Sequence, residues 1–166
     1  MFALLNLPRR WLNLGGFAIC AALLGYAYYS QFHDGLDPCP LCIFQRVGMI
    51  AVGLVFLVAG LHNPGRTGSR IYGALLALAA LAGTAVAGRH VWIQSLPADQ
   101  VPECGPGLDY MLRVFPLGNT LKMVFTGSGE CAEVTWRLFG LSMPVWVLFC
   151  FIGLGVLGLY RNWRGD

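Results

Sequence analysis

Two cysteines separated by two residues form the segment of this sequence with the clearest potential for chemistry. Cys39-Pro40-Leu41-Cys42 is a C-x-x-C motif where a long apolar run begins, and proline suits the first turn of a helix. A thiolate at Cys42 would lie near the positive end of the helix dipole. Arg46 follows four residues later on the same helical face, and its charge also favours the thiolate. The motif predicts a redox-active dithiol.

Arg46 also lies inside an apolar run, where a guanidinium without a partner is costly. One interpretation is that its long side chain extends to the membrane interface. The functional interpretation is that Arg46 serves Cys42 and binds a polar oxygen of a ligand.

A second pair of cysteines, Cys104 and Cys131, lies in a long polar segment. Cys104 is enclosed by Pro and Gly in the sequence PECGPG, which opposes regular structure and keeps a sulfur accessible. Two dithiol pairs suggest a relay. Cys104 is the candidate for exchange with a protein partner, and the C-x-x-C pair is the candidate for reaction with an electron acceptor.

Structural disulfides and a zinc site are the alternatives for these four cysteines. Cys104 with Cys131 could staple a loop, but a bridge between Cys39 and Cys42 closes a very small ring and removes little chain entropy. Zinc bound by four cysteines is disfavoured because the separations are irregular and a second C-x-x-C is missing. The sequence therefore favours redox chemistry and predicts no metal site.

His90 is the candidate for an additional ligand-binding residue. It lies near the end of a third apolar run, beside Arg89, and could line an apolar slot together with Arg46. A dithiol at a membrane boundary has a lipid-soluble quinone as its natural two-electron acceptor. The alternative is an ordinary interfacial histidine.

These residues must be positioned by membrane-spanning helices. The chain has 166 residues, of which 57% are apolar and 11% charged, with a mean hydropathy of +0.63. Four apolar runs, at residues 11–29, 41–61, 71–93 and 143–160, each suffice to cross a hydrocarbon core, which takes about 20 helical residues. We predict an all-α membrane protein with one domain over residues 1–166, a bundle of four transmembrane helices.

The polar segments complete this prediction. Two loops, at about residues 30–40 and 94–142, join the runs on one side, and residues 108–125 mix apolar and charged residues as short amphipathic helices on a membrane surface do. Cys20 and Cys150 lie inside apolar runs and are interpreted as small core hydrophobes. The net charge of +3 is dispersed along the chain, which argues against nucleic acid as a partner.

Basic residues predict the orientation of the bundle, because Lys and Arg near membrane ends favour the cytoplasmic side. They flank the runs at three places that an even-numbered bundle brings to one face: Arg9 and Arg10, Arg66 and Arg70, and Arg161 and Arg164. Both termini are therefore expected to be cytoplasmic, and the four loop cysteines to face the compartment in which disulfides persist. The first run could instead be a cleaved signal peptide, but it is too long and lacks a small-x-small cleavage pattern.

Three segments together resemble the DsbB family of bacterial inner-membrane proteins. They are CPLCIFQR at residues 39–46, GSGECAE at residues 127–133, and LSMPVW at residues 141–146, with Trp136 between the last two. The resemblance extends over essentially the whole chain and includes the helix count, the loop sizes and the four outward cysteines.

The resemblance implies a four-helix bundle that reoxidises the soluble periplasmic thiol oxidase DsbA and reduces ubiquinone or menaquinone. It implies that Cys104 forms the mixed disulfide with DsbA, that Cys131 is its partner, and that Cys39 exchanges with Cys131. Cys42 would then be the thiolate that reduces the quinone. Arg46 matches the family's arginine after the motif, and His90 matches its quinone-site histidine. The resting pairing stays open between Cys39-Cys42 with Cys104-Cys131, and an interloop Cys39-Cys131 bond.

This sequence departs from well-known members of the family after Cys104, where Gly105-Pro106-Gly107 follows. Other functions remain as alternatives. A relative of vitamin K epoxide reductase would carry its C-x-x-C elsewhere along the chain, a reductase delivering electrons outward would need cysteines in the cytoplasmic loops, and a membrane scaffold would keep its cysteines in structural disulfides.

Overall fold

The computed structural model describes residues 8–97, 99–101, 108–127 and 129–164, except for the side chains at positions 109 and 112. Four long helices dominate this part of the chain: α1 (Arg9–His33), α2 (Pro40–His62), α3 (Arg66–Gln94) and α7 (Met143–Arg164). The connection between α3 and α7 holds α4 (Leu108–Val114), α5 (Leu117–Thr126), α6 (Gly129–Ala132), β1 (Arg137–Leu138) and β2 (Leu141–Ser142).

The four long helices contain the four predicted apolar runs, and each is long and apolar enough to cross a membrane. At about 1.5 Å per residue, the 22 residues of α7 extend about 33 Å, which exceeds a typical hydrocarbon core of about 30 Å. Large apolar side chains such as Leu78, Leu81 and Val156 are more than 60% exposed along the outside of the bundle. A lipid environment accounts for that exposure, and the protein is a multi-pass membrane protein.

Local signals explain where α2 begins and ends. Cys39 precedes the first turn in an extended conformation, and Pro40 occupies the first helical position, where its missing N–H costs nothing. The helix ends at His62, and Asn63 follows in the left-handed conformation at φ 42° and donates its N–H to Ala59 O. The first of these signals fixes the position of the two cysteines relative to the helix axis.

The core of the bundle forms where small residues let helices approach closely. α3 packs most extensively on α7, and α2 packs on both α1 and α3. Phe56, Leu76 and Phe151 are fully buried at the centre. The ring of Phe151 packs directly against Gly83 of α3. The same ring also lies beside Gly48 of α2.

Gly83→Ala is expected to destabilise the bundle by about 1–3 kcal/mol, because the added methyl group collides with the buried ring of Phe151. Gly153→Ala on α7 is the matched control, since a Cβ there meets no atom within 4 Å and alanine favours a helix. Thermal unfolding in one detergent measures both. An unchanged midpoint for Gly83→Ala would contradict the close packing of α3 on α7.

Buried polar groups join the helices at the end of the bundle remote from the C-x-x-C motif. Asn13 and Asn162 exchange amide hydrogen bonds of 3.2 and 3.0 Å between α1 and α7, and Ser69 Oγ donates to Asn162 O at 2.9 Å. Arg9 Nη2 donates to Pro64 O at 2.6 Å. Arg9 and Arg66, which begin helices, and Arg164, which ends one, therefore lie at this end of the bundle. They belong to the basic residues from which the cytoplasmic face is predicted.

The connection between α3 and α7 confirms the predicted short helices. Pro116 separates α4 from α5, and Thr120 Oγ1 joins them by donating to Met111 O at 3.1 Å. A two-residue antiparallel ladder, β1 with β2, was not predicted. Its turn is Phe139-Gly140, both with positive φ, as in a type I′ hairpin.

Candidate functional site

Cys39 and Cys42 lie together at the start of α2. Their Sγ atoms are 3.3 Å apart, which is contact distance for two thiols and longer than the S–S bond of a disulfide at about 2.05 Å. Cys39 is buried and Cys42 is half-buried. Because helical geometry already brings the sulfurs together, a disulfide between them needs only a small side-chain movement.

His90 of α3 contacts both sulfurs. Its Nε2 lies 3.8 Å from Cys39 Sγ, and its Nδ1 lies 4.0 Å from Cys42 Sγ. The ring is only 2% exposed. The sequence placed His90 near the end of the third run beside a candidate ligand slot, and the fold brings it against the dithiol itself.

Two hydrogen bonds hold the ring of His90 in place. Its Nε2 lies 3.0 Å from the backbone oxygen of Cys131, and a carbonyl oxygen can only accept, so Nε2 carries the proton. Gln45 Nε2 lies 3.0 Å from Nδ1 and donates to it. These two bonds give the ring a fixed orientation toward both sulfurs, with Nε2 as the donor and Nδ1 as the acceptor.

Cys131 belongs to the same buried cluster as Cys39. It lies in the short helix α6 and is 1% exposed, and the cluster also contains Leu41 and Ile93. The bond from His90 to the Cys131 carbonyl ties α6 to α3 beside the C-x-x-C motif. The second loop thus delivers one of its two predicted redox cysteines to the dithiol. Cys104 lies outside the described residues.

Arg46 has its own partners on α1. Its guanidinium donates to the side-chain oxygen of Gln31 and, at 3.0 Å, to Ala27 O, and it stacks over the ring of Tyr28 at 4.8 Å. These contacts explain how an apolar helix accommodates a charged group. The guanidinium of Arg46 is hydrogen-bonded to the neighbouring helix rather than extended into solvent. Its predicted role toward Cys42 and a ligand stays a prediction.

A cavity of about 430 Å³ opens beside the dithiol. Apolar walls come from α1, α2 and α7, for example Leu23, Met49 and Val147. Polar and acidic residues, among them Glu130 and Glu133, line the rest. Cys39, Cys42, Arg46 and His90 all line it. The structure therefore brings four of the predicted site residues to the wall of one cavity.

Sequence reasoning missed several polar residues of this cavity, among them Gln45 and Ser30. Gln45 is 5% exposed and orients His90, and a glutamine in the middle of an apolar run was a usable signal, because such residues form hydrogen bonds between membrane helices. Ser30 is 2% exposed, and its hydroxyl has no hydrogen-bond partner among the described residues. Nothing in the sequence around Ser30 distinguishes it from a loop-flanking serine.

Arg89 and the two intramembrane cysteines lie away from the cavity lining. Arg89 donates to the backbone oxygens of Phe125 and Thr126 and stacks on Trp92, so it anchors α5 instead of lining the slot beside His90. Cys20 is buried in the central core, and Cys150 packs against the same core. Their interpretation as small hydrophobes agrees with these surroundings.

Thiol–disulfide oxidation within a membrane is the class of chemistry that this fold and this dithiol define. The chain belongs to the DsbB family, because the family model described as "Disulfide bond formation protein DsbB" matches residues 9–161. Its function is disulfide bond formation, and it is a disulfide-forming oxidoreductase.

Individual relatives agree with this membership. Disulfide bond formation protein B of Methylococcus capsulatus is 55% identical over 151 residues, which cover 91% of this chain and 92% of the relative. The protein of the same name from Nitrosococcus oceani is 53% identical, covering 96% of this chain and 95% of the relative. The protein of the same name from Chromobacterium violaceum is 49% identical, covering 97% of this chain and 99% of the relative.

Proposed function

We propose that this protein reoxidises a periplasmic thiol oxidase of the DsbA type and passes the two electrons to a membrane quinone. One observation carries the proposal: the Cys39-Cys42 pair forms part of the wall of a mainly apolar cavity that also presents Arg46 and His90. A dithiol that faces an apolar cavity at the end of a transmembrane helix is suited to a lipid-soluble acceptor rather than a soluble one.

The residues present fit a quinone ring. A cavity of about 430 Å³ is within the range of ordinary small-molecule sites, about 300–1,000 Å³. Ser30 lines the cavity, and its buried hydroxyl has no protein partner among the described residues. A rotation of this side chain toward the cavity would let it donate to a ligand oxygen. Arg46 and Ser30 would hold the ring oxygens. A bound quinone, either ubiquinone or menaquinone, supplies an acceptor of two electrons and two protons.

The reaction balances as one dithiol oxidised for each quinone reduced to quinol. We propose that Cys104 forms the mixed disulfide with the DsbA-type partner and that Cys131 is the sulfur it leaves. Cys131 then attacks Cys39 of the C-x-x-C disulfide, which frees Cys42 as a thiolate. The partner's second thiol attacks the mixed disulfide, which releases the oxidised partner and frees Cys104. Cys104 then attacks Cys131 of the Cys39-Cys131 disulfide, which restores the Cys104-Cys131 bond and frees Cys39. Cys42 delivers the electron pair at the cavity as the Cys39-Cys42 disulfide closes again. The partner's dithiol provides both protons.

Redox energetics favour an acceptor outside the thiol pool. A DsbA-type oxidase has a reduction potential of about −120 mV, and each 30 mV of a two-electron couple is worth about 1.4 kcal/mol. Few thiol–disulfide couples are oxidising enough to regenerate such a partner. A quinone removes the electrons into the membrane and draws the cycle forward.

The proposed placement follows from the same chemistry. The protein would lie in a bacterial inner membrane as one domain over residues 1–166, with both termini cytoplasmic and the redox cysteines in the periplasm. The distribution of basic residues supports this orientation.

Quinone reduction by the purified full-length protein in detergent tests the proposal, with a reduced DsbA-type protein as donor. Soluble ubiquinone and menaquinone analogues serve as acceptors. We expect one quinol for each donor disulfide formed, and the same rate for Cys150→Ser, whose sulfur lies outside the site. A wild-type protein that is inert with both quinones while its cysteines stay oxidised would favour the scaffold with structural disulfides.

His90→Gln is expected to lower quinone turnover by about 100-fold, in the range that positioned proton-transfer groups contribute. The ring that contacts both sulfurs is lost, and the amide of Gln45 loses its acceptor. His62→Gln is the matched control, because His62 is exposed and bonds to Tyr72 at the opposite end of α2. Steady-state rates over a range of quinone concentrations measure the effect. Equal rates for the two variants would remove His90 from the reaction.

A further inference from the structure

Three ligand atoms of the kinds that zinc prefers converge beside the cavity. The Sγ atoms of Cys39 and Cys42 and a ring nitrogen of His90 all lie within 4.8 Å of one another. We propose that the reduced protein binds Zn²⁺ through Cys39, Cys42 and His90, and that the metal reversibly blocks the dithiol. This site differs from a four-cysteine zinc site, which the spacing of the cysteines disfavours.

The observed distances are close to those of a tetrahedral zinc centre. With Zn–S bonds of about 2.3 Å and Zn–N bonds of about 2.05 Å, tetrahedral angles place two sulfurs about 3.8 Å apart and a sulfur about 3.6 Å from a nitrogen. The sulfurs here are 3.3 Å apart, and Nδ1 of His90 lies 4.0 Å from Cys42 Sγ. Cys39 Sγ contacts the other ring nitrogen, Nε2, at 3.8 Å. Shifts of roughly 0.5 Å would correct the two distances known for the proposed ligand atoms, S–S and Cys42-to-Nδ1, and a rotation of the ring would turn Nδ1 toward Cys39.

The hydrogen bonds of His90 identify the ligating nitrogen. Nε2 donates its proton to the Cys131 carbonyl, which leaves the lone pair on Nδ1. Nδ1 faces Cys42 and is held by the amide of Gln45, which a metal ion would displace. A ligating histidine whose other N–H donates to a backbone carbonyl is the usual arrangement at protein metal sites.

Charge and redox state decide when the site exists. Two thiolates neutralise one divalent cation, so the buried complex carries no net charge, and two thiol protons are released on binding. A Cys39-Cys42 disulfide provides no thiolate and therefore no site. The fourth ligand position would face the cavity, where a water molecule can complete the coordination.

Metal binding can be measured without turnover by using Co²⁺ as a spectroscopic probe. Full-length protein in detergent is reduced, desalted without oxygen and titrated with Co²⁺, then with Zn²⁺ as the competitor. We expect one Co²⁺ per protein, with thiolate-to-metal charge-transfer bands that Zn²⁺ abolishes, and no such bands with oxidised protein. His90→Gln should weaken binding at least tenfold, whereas His62→Gln should not change it.

Cys104→Ser separates this site from one that uses Cys104 of the second loop. The proposal expects Cys104→Ser to keep the Co²⁺ bands, and Cys39→Ala to lose them while the thermal unfolding midpoint of the metal-free protein is retained. Equal binding by oxidised protein, by His90→Gln or by Cys39→Ala would overturn the proposal, and so would loss of the bands in Cys104→Ser.

The expectation that Zn²⁺ inhibits quinone reduction rests on the proposed function. Zn²⁺ added to the reduced protein should stop quinone reduction, and a chelator should restore it. If the Co²⁺ bands do not form while metal-free protein reduces quinone, the metal site fails alone. If the bands form and quinone is never reduced, the proposed function fails alone.

Discussion

Replacement of Cys42 by serine is expected to lower quinone reduction by about a thousandfold or more, because the variant has no thiolate at the cavity and cannot close a disulfide with Cys39. Serine is nearly the same size as cysteine, and Cys42 is only half-buried, so the bundle should fold normally. The loss should be equal with a protein donor and with a small dithiol, since both routes end at this sulfur.

The measurement is quinol formation by Cys42→Ser in detergent, with Cys150→Ser as the matched control. Cys150 offers the same substitution on α7, outside the cavity lining. The thermal unfolding midpoint of each variant shows whether the fold is kept. Turnover by Cys42→Ser at more than a tenth of the wild-type rate would mean that electrons leave the protein through another group.

The long helices could be predicted from the sequence because an apolar run of about 20 residues has one stable solution in a membrane. Their ends were less predictable. α3 begins at Arg66, before the apolar run at residues 71–93, because residues 66–70 contain no helix-breaking proline. Hydropathy marks the part of a helix that meets lipid, whereas hydrogen bonding decides how far the helix continues.

Short elements were predicted unevenly for a similar reason. Pro116 marks a helix boundary in any context, so the division between α4 and α5 was visible in the sequence. The hairpin of β1 and β2 has only two residues in each strand and turns at Phe139-Gly140, where a phenylalanine adopts a positive φ. Its position depends on tertiary contacts, such as Ser142 Oγ donating to Gln94 at 2.6 Å.

The residues of the candidate site also differ in whether a local sequence pattern predicts them. A C-x-x-C at a helix start and an arginine one turn later are local patterns, and the sequence identified both. The contact of His90 with the two sulfurs, and its bond to the Cys131 carbonyl, join α2, α3 and α6 across more than 40 positions of the chain. Such convergence has no local signature. A single sequence therefore suggested His90 as a candidate, but not Gln45 as its partner.

Cys104→Ser is expected to separate the two halves of the proposed relay. With a reduced DsbA-type protein as donor, quinone turnover should fall by about a hundredfold or more, because the mixed disulfide with the partner needs this sulfur. With a small dithiol such as dithiothreitol, turnover should persist, because a small molecule can attack the Cys39-Cys42 disulfide directly at the half-buried Cys42. Cys42→Ser, by contrast, should fail with both donors.

The comparison therefore needs two variants and two donors in one assay, with the quinone held constant. Trapping with an alkylating reagent during turnover adds a second measurement: the wild type should accumulate a disulfide-linked complex with the partner, and Cys104→Ser should not. Full activity of Cys104→Ser with the protein donor would mean that the partner attacks another sulfur, with Cys131 the first candidate. Loss of activity with both donors would instead show that the second loop is needed to build the dithiol site, as the contact between His90 and the Cys131 carbonyl would allow.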